Sequence, residues 1–290
     1  RFENFQFGLL KEMWVFTFFI FINMIVDQVN WSVDKFLLGR FSGTIAVAVY
    51  GVGSQLNNMY LQVSTAISNV FVPQVNKLVV EENDDTALTK LFTKVGRVQF
   101  IVLSLIVMGF IFLGKEFISL WAGENYIESY AITLLLIVPV TIPLIQNLGI
   151  EIQRAKNLHR VRSVVYLCIA ISNVLISIPF IKIWGPSGAA LGTAISLIAG
   201  NIIFMNIYYQ KRIGLDILYF WREILKFIPA LIGPCILGII LRKVWVMDSL
   251  SKFFVAVIIF TVVFAVSMWC LGMNEQEKDM VLGPLKRVYK

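Results

Sequence analysis

The stretch WVFTFFIFINMIVDQVNWSVDKFLL, from Trp14 to Leu38, decides the fold of this chain. A helix needs about 20 apolar residues to cross a bilayer, so the stretch is long enough to span one. Its polar side chains recur every three or four residues, which places them on one face of a helix. They are Asn23, Asp27, Asn30 and Asp34. Carboxylates on one face of an apolar helix indicate either a watery path or polar contacts inside a bundle. We expect this face to line a transmembrane cavity.

The composition also indicates a membrane protein. Of the 290 residues, 58% are hydrophobic, whereas soluble domains contain about 45–50% apolar residues. Further apolar segments follow at about 45–77, 98–114, 129–150, 163–183, 187–209, 224–241 and 252–271. The sequence therefore predicts an all-α, polytopic membrane helix bundle of about eight transmembrane helices. These would form one lobe over residues 14–271, after an interfacial lead-in at 1–13 and before a cytoplasmic tail at 272–290.

A second polar stripe runs along the segment 45–77. Its members again recur every three or four residues: Gln55, Asn58, Gln62, Thr65 and Asn69. Amide side chains both donate and accept hydrogen bonds, which suits sugar hydroxyls. They suit contacts between helices equally well, and both interpretations stay open at this point. A shorter set on one face, Asn147 and Glu151 followed by Arg154, ends the segment 129–150.

Asp27 is the polar side chain predicted to lie deepest in the membrane among those that carry a charge. It lies about 20 Å into the first segment, counted from Trp14 at about 1.5 Å per residue, which is past the middle of the hydrocarbon. A carboxylate at that depth needs water or a partner. We expect Asp27 to line the cavity, and H⁺ or Na⁺ coupling through it is a further hypothesis. The alternative is a buried carboxylate bonded to polar neighbours such as Asn58 or Gln62.

The distribution of basic residues predicts the topology. The side that holds both termini carries 18 of the 25 Lys and Arg residues, and the other side carries 7. Cytoplasmic loops hold the excess of positive charge, so we predict a multi-pass protein of the cell (cytoplasmic) membrane with both termini in the cytoplasm. The net charge of +7 then reflects topology and contact with anionic membrane lipid, with no nucleic-acid partner.

Four basic residues lie at the predicted cytoplasmic rim: Lys94, Arg97, Arg154 and Lys156. Cationic side chains of this kind could attract the pyrophosphate of a lipid-linked sugar. Topology and contact with lipid headgroups also account for them without any ligand.

Catalytic and cofactor motifs are missing from the sequence. It has no phosphate-binding Gly-x-x-x-x-Gly-Lys loop, and its one histidine, His159, lies in a basic loop. Its three cysteines stand singly inside apolar segments without metal or redox spacing. We therefore expect no enzyme, no catalytic residue, no cofactor and no metal site. A membrane-embedded glycosyltransferase or acyltransferase is the alternative of another class, and it would need a convergent acid/base pair.

Two motifs carry a resemblance to a known family. The first is Asp34-Lys35-Phe-Leu-Leu-Gly39, followed by Gly43 and Tyr50-Gly51 ahead of the polar segment that ends near Pro73. The second is Gly185-Pro-Ser-Gly188-Ala-Ala-Leu-Gly192-Thr-Ala-Ile-Ser196, whose repeat of small residues continues to Gly200 and predicts close helix contact. This pattern resembles the oligosaccharide (polysaccharide repeat-unit) flippases of the multidrug/oligosaccharidyl-lipid/polysaccharide exporter superfamily.

The resemblance implies a two-lobed exporter of about 12 or 14 helices that works by rocking one lobe against the other. Eight spans with both ends inside would match helices seven to fourteen, the C-terminal lobe, with the N-terminal lobe of the same protein as the missing partner. The implied cargo is a polyprenyl-pyrophosphate-linked oligosaccharide, moved without any bond being made or broken. A multidrug or lipid-precursor exporter of the same superfamily is the nearest alternative, and a membrane scaffold without transport is another.

Overall fold

The computed structural model describes residues 32–82, 84–245 and 249–288, together with Gly8, Met13, Trp14, Thr17, Phe18, Phe21 and Met247. Within these ranges the side chains of 81, 82, 159, 160 and 283–288 are not described. The predicted cavity residues Asn23, Asp27 and Asn30 lie outside the described part. The described ranges contain helices and turns and no strand, so the all-α prediction is confirmed.

The helices follow one another with short connections. Residues 32–41 are helical and lead into the helix Gly43–Lys77, called here the stripe helix, and then into Asp85–Trp121, called the central helix. The remaining elements are listed in chain order. They are the pair Ser129–Ile145 and Leu148–Ala155, the hairpin Val161–Ile213, the short helix Ile217–Leu225, Ile228–Val244, Leu250–Gly272 and the tail helix Glu275–Val288.

Local sequence explains where the helices begin and bend. Asp84 caps the central helix, because its carboxylate accepts hydrogen bonds from the backbone N–H groups of Thr86 at 2.8 Å and Ala87 at 3.2 Å. These two bonds favour the charged carboxylate and hold the pKa of Asp84 below its ordinary value. The pair Ser129–Ile145 and Leu148–Ala155 bends by 45°, and Ile217–Leu225 and Ile228–Val244 bend by 43°. Such breaks are tolerated in membrane bundles where neighbouring groups bond the freed backbone.

The hairpin turns at Gly185, whose φ of 56° and ψ of −131° are not helical. Its two arms, 161–184 and 186–213, run antiparallel with almost no space between them. A Cβ at Gly188 would collide with the carbonyl group of Phe180, and one at Gly192 would collide with Ser177. The same is true of Gly200 against Ile169. The predicted small-residue contact face is therefore confirmed.

The core joins the central helix to the hairpin and the short helix. The ring of Phe92, which is fully buried, lies 4.8 Å from the ring of Phe220 and 6.0 Å from that of Tyr209, measured between centroids. Gly96 leaves room for this packing, since a Cβ there would meet the Phe220 ring. These contacts hold the amino-terminal part of the central helix against the short helix.

Fewer helices pass a strict test for membrane spans than the eight predicted. Among the described residues, three helices are long and apolar enough to cross a bilayer alone, and up to five if each bent pair counts as one. The difference has physical reasons. The hairpin Val161–Ile213 counts once although it doubles back, and the stripe helix carries many polar residues. Most of the segment 14–38 lies outside the described residues.

Candidate functional site

A polar cavity of about 310 Å³ lies between the stripe helix, the bent pair that starts at Ser129, and the hairpin. Its polar lining is Thr65, Asn147, Arg162, Tyr166, Asn173, Thr193, Ser196 and Asn201. The amides and hydroxyls offer donors and acceptors for a hydroxylated ligand. Arg162 is the only charged side chain that lines this cavity in the described part of the chain.

Arg162 is held in place by the residue one turn further along the first arm. Its guanidinium carbon lies 4.7 Å from the centroid of the Tyr166 ring, and its Nη2 donates a hydrogen bond to the Tyr166 hydroxyl at 3.1 Å. Stacking on an aromatic face orients a guanidinium and leaves its positive charge in place. The arrangement therefore presents a fixed cation at the wall of a polar cavity, a geometry suited to phosphate.

Behind the cavity wall lies a buried carboxylate, that of Asp34. It is 1% exposed, and its Oδ2 accepts hydrogen bonds from the Tyr50 hydroxyl at 2.7 Å and the Thr193 hydroxyl at 2.6 Å. Asn173 and Ser177 continue the network, since the Ser177 hydroxyl donates to Oδ1 of Asn173 at 2.7 Å. The Oδ1 atom of Asp34 is buried without a hydrogen-bond partner in the described structure. The sequence predicts Asp34 as a cavity residue, and the structure places it in this sealed network instead.

The polar stripe lies on the outside of the described bundle. Gln55, Asn58, Gln62 and Asn69 are all exposed, as is Thr65, which also borders the cavity. Contacts between helices use another face of the same helix, which carries the buried Ser64 and Ser68.

That buried face makes firm hydrogen bonds. The Ser64 hydroxyl donates to the carbonyl oxygen of Leu144 at 2.9 Å, and Nε2 of Gln99 donates to the Ser68 hydroxyl at 2.7 Å. The polar residues of the stripe helix thus divide into a bonded inner set and an exposed outer set.

Asn147 and Glu151 end up in different surroundings. Asn147 is half-buried and lines the cavity. Glu151 is half-buried as well, but it pairs with Arg154 across one helical turn at 2.9 Å and does not border the cavity.

The four basic rim residues do not form one cluster. Arg154 is 65% exposed beside Glu151, and Lys156 pairs with Asp85 and donates to the carbonyl oxygen of Ile213 at 2.9 Å. Lys94 is exposed on the central helix, next to a different cavity.

The surroundings of Arg97 contradict the expectation that it could attract a pyrophosphate. Its side chain is 4% exposed and is bound by both carboxylate oxygens of Glu277, with the second contact at 2.9 Å. It also donates to the backbone carbonyl oxygens of Glu223 at 2.8 Å and Gly272 at 3.1 Å. A guanidinium whose donors are already used in this way is not available to a pyrophosphate.

The position of Arg162 at the cavity was not predicted from the sequence, although the sequence contains a signal for it. Arg162, Tyr166, Ile169 and Asn173 recur every three or four residues, so they share one face of the first arm. All four line the cavity. Thr193 and Asn201 could not be assigned in the same way, because nothing local shows which neighbour the second arm meets.

Comparison with known proteins agrees with this architecture. A sequence profile of the family described as "Polysaccharide biosynthesis protein" matches residues 3–131. No curated protein matches the chain. Among solved structures, the fold is similar to "Lipid II flippase MurJ, inward closed conformation", with a TM-score of 0.69 at 16% sequence identity. The similarity covers 97% of this chain and 56% of that one, so the chain spans little more than half the length of MurJ.

The family match, the shared fold and the apolar helices agree with the resemblance carried by the sequence motifs. The chain is a multi-pass membrane protein whose fold is similar to that of a solved lipid flippase, and the family profile matches its residues 3–131.

Proposed function

We propose that this chain is the C-terminal lobe of a flippase that moves a polyprenyl-pyrophosphate-linked oligosaccharide across the cytoplasmic membrane by alternating access. The lobe would comprise residues 14–271, with a lead-in at 1–13, a tail at 272–290 and both termini in the cytoplasm. The partner would be an N-terminal lobe of the same protein, which fits a chain that covers 56% of MurJ. Transport of this kind makes and breaks no bond, so no catalytic residue is required.

One observation carries the proposal: a polar cavity with a single stacked arginine lies inside a bundle of long apolar helices. An oligosaccharide needs many neutral donors and acceptors, and the exposed stripe residues Gln55, Asn58, Gln62 and Asn69 supply them on the helix face that carries Thr65, which borders the cavity. The pyrophosphate needs a cation, and Arg162 supplies it. Asn23, Asp27 and Asn30 stay proposed members of the same lining.

Ion coupling is a finer part of this proposal; Asp27 stays a candidate from the sequence, and the geometry of the described residues makes Asp34 a second candidate. A buried carboxylate is costly without a bound proton or cation. The Asp34 network contains only neutral partners, namely Tyr50, Thr193, Asn173 and Ser177, and it leaves one carboxylate oxygen without a bond in the described structure. Oxygen ligands of this kind suit H⁺ or Na⁺. Binding of the proton or cation at Asp34 would alter the cavity lining, because Thr193 and Asn173 belong both to the Asp34 network and to that lining.

The test uses the full-length protein in liposomes loaded with a polyprenyl-pyrophosphate-linked oligosaccharide, with flipping measured as protection of the sugar from an added glycosidase. We expect Arg162→Gln to slow flipping at least tenfold. The matched control is Arg212→Gln, because Arg212 is exposed at the end of the hairpin and lies outside the cavity. Equal rates for wild type and Arg162→Gln would reject the proposed pyrophosphate contact, and export of a cationic dye with no flipping would favour a multidrug exporter.

The ion hypothesis has its own readout in the same assay. We expect Asp34→Asn to flip the cargo at a rate that no longer changes when an H⁺ or Na⁺ gradient is imposed. An unchanged response to both gradients would remove Asp34 from coupling and leave the cargo site untouched.

A further inference from the structure

A second polar cavity, of about 450 Å³, lies away from the proposed transport site. It is enclosed by the end of the stripe helix, the start of the central helix, the short helix and the tail helix. Gln74 borders it from the stripe helix. At about 3.6 residues per turn, Gln74 lies at least about 120° around that helix from Gln62 and Asn69. The second cavity therefore opens on a different side of the lobe from the polar stripe.

The charges in this cavity leave a net positive mouth. Arg97, Glu223 and Glu277 all border it, and together they carry a charge of −1, because one guanidinium faces two carboxylates. Lys90 and Lys94 also border it, one turn apart on the central helix. Both lysines are exposed, and neither forms an ion pair within the ranges that the structure describes. The charged residues that border the cavity therefore sum to +1, and the excess positive charge lies on the exposed rim, where it attracts an anion.

A buried hydroxyl lies beside these two lysines. Thr93 is 3% exposed and borders the cavity, and its Oγ1 is buried without a hydrogen-bond partner in the described structure. A buried hydroxyl without a partner is unfavourable, so native proteins usually satisfy such groups with a ligand or an ordered water. Further donors stand on the exposed rim, on Tyr219, Asn274 and Gln276.

The depth of the lysines matches that of lipid phosphates. The apolar run of the central helix starts at Val98, so Lys94 lies about 6 Å and Lys90 about 12 Å beyond its edge, at about 1.5 Å per residue. The headgroup layer adds about 5–7 Å to each side of the hydrocarbon. Lys94 thus lies within that layer and Lys90 just outside it, where a lysine side chain can reach back to it. The predicted topology makes this the cytoplasmic side, whose leaflet is anionic.

We propose that this cavity binds the phosphate headgroup of an anionic phospholipid, with Lys90 and Lys94 as counter-charges and the Thr93 hydroxyl as a donor. The site is separate from the cargo path and does not depend on the proposed transport activity. Basic pockets between membrane helices on the cytoplasmic side are known to take such headgroups. Bound lipid would contact the tail helix through Asn274 and Gln276, and so would link the tail to the membrane surface.

The experiment measures lipid retained by the purified full-length protein. The protein is exchanged into nanodiscs or detergent with phosphatidylglycerol or with zwitterionic phosphatidylethanolamine, and bound lipid is counted by native mass spectrometry. We expect wild type to retain phosphatidylglycerol and the double variant Lys90→Gln with Lys94→Gln to retain it about 25-fold less, at about fivefold per lysine. Thr93→Val, which keeps the shape, is expected to weaken retention severalfold without changing the charge.

The matched control removes the same charge elsewhere on the same side. Lys211→Gln with Arg212→Gln changes two exposed residues that do not border the cavity, and it should leave retention unchanged. Equal loss in both double variants would overturn the proposal, because a general charge effect would then explain the binding. Equal retention of the two phospholipids, or displacement of the lipid by millimolar inorganic phosphate, would also overturn it, as would selective retention of a polyprenyl pyrophosphate.

Discussion

The buried ion pair between Arg97 and Glu277 allows a sharp test of how the tail helix is attached. The two residues are 180 positions apart, and their side chains are 4% and 3% exposed. Glu277 also joins the start of its own helix, because its Oε2 accepts from the backbone N–H of Asn274 at 2.9 Å and its own N–H donates to Oδ1 of that residue at 2.9 Å. Glu277→Gln would remove the charge while keeping the shape of the side chain.

The size of the effect follows from the partners that remain. After the change, the nearest carboxylate to Arg97 is that of Glu223 at 3.5 Å, which also pairs with Lys226. Removing one member of a buried pair costs about 3–5 kcal/mol, because the other charge stays buried. We expect about 3 kcal/mol here, since Glu223 compensates in part. At about 2 °C per kcal/mol for a chain of this size, the melting temperature should fall by about 6 °C.

Two measurements check this expectation on the full-length protein in detergent. Thermal unfolding gives the melting temperature, and limited trypsin digestion reports cleavage after Lys278, which should become faster as the tail helix detaches. The control is Glu275→Gln, the same chemical change two residues earlier. Glu275 pairs with Lys278 at 3.2 Å but is 89% exposed, so the expected cost is below about 0.5 kcal/mol.

One result would show that the ion pair does not attach the tail helix. If Glu277→Gln melts within about 1 °C of wild type and trypsin cleavage is unchanged, the ion pair does not hold the tail. A double variant distinguishes the effect of a buried unpaired charge from the effect of lost packing. Replacing both residues with Met should recover most of the lost stability, because an apolar pair of similar volume leaves no buried charge.

Three further predictions concern other parts of the lobe. Gly188→Ala should lower the free energy of unfolding by more than about 2 kcal/mol, because the added Cβ would meet the backbone of Phe180. Gly51→Ala is the control: its Cβ would have open space, so this variant should melt like wild type. Gln62→Leu should change the melting temperature by less than about 1–2 °C, as expected for an exposed position, yet should reduce flipping in liposomes; unchanged flipping would make the stripe dispensable. The Asp84 cap should stabilise the fold fully at neutral pH and lose its contribution as the pH falls through its lowered pKa, so Asp84→Asn should flatten the melting temperature between about pH 5 and pH 3.

Much of the candidate site could be anticipated one helix at a time. The spacing of Gln55, Asn58 and Gln62 predicted a common face, and the structure places all three on one exposed side of the stripe helix. Asn147 was expected at the cavity and lies there. Local periodicity is enough for such predictions, because it fixes which side chains point in the same direction.

Pairings between distant segments could not be anticipated. Asp34 meets Thr193 across 159 positions, and Arg97 meets Glu277 across 180. A polar residue on a membrane helix shows only that some partner or water is needed. Arg97 and Arg162 looked alike in the sequence, yet one is bound by two carboxylates and the other lines a cavity.

The amino-acid sequence by itself determined the membrane environment, the all-α class, the glycine face of the hairpin and the polar faces of the helices. These features depend on local composition and on a period of about 3.6 residues, which apply to each segment alone. Only the tertiary structure decided which polar face is buried, which arginine lines a cavity and where the two cavities lie. Those outcomes depend on which helices become neighbours, and the packing of the whole bundle selects them.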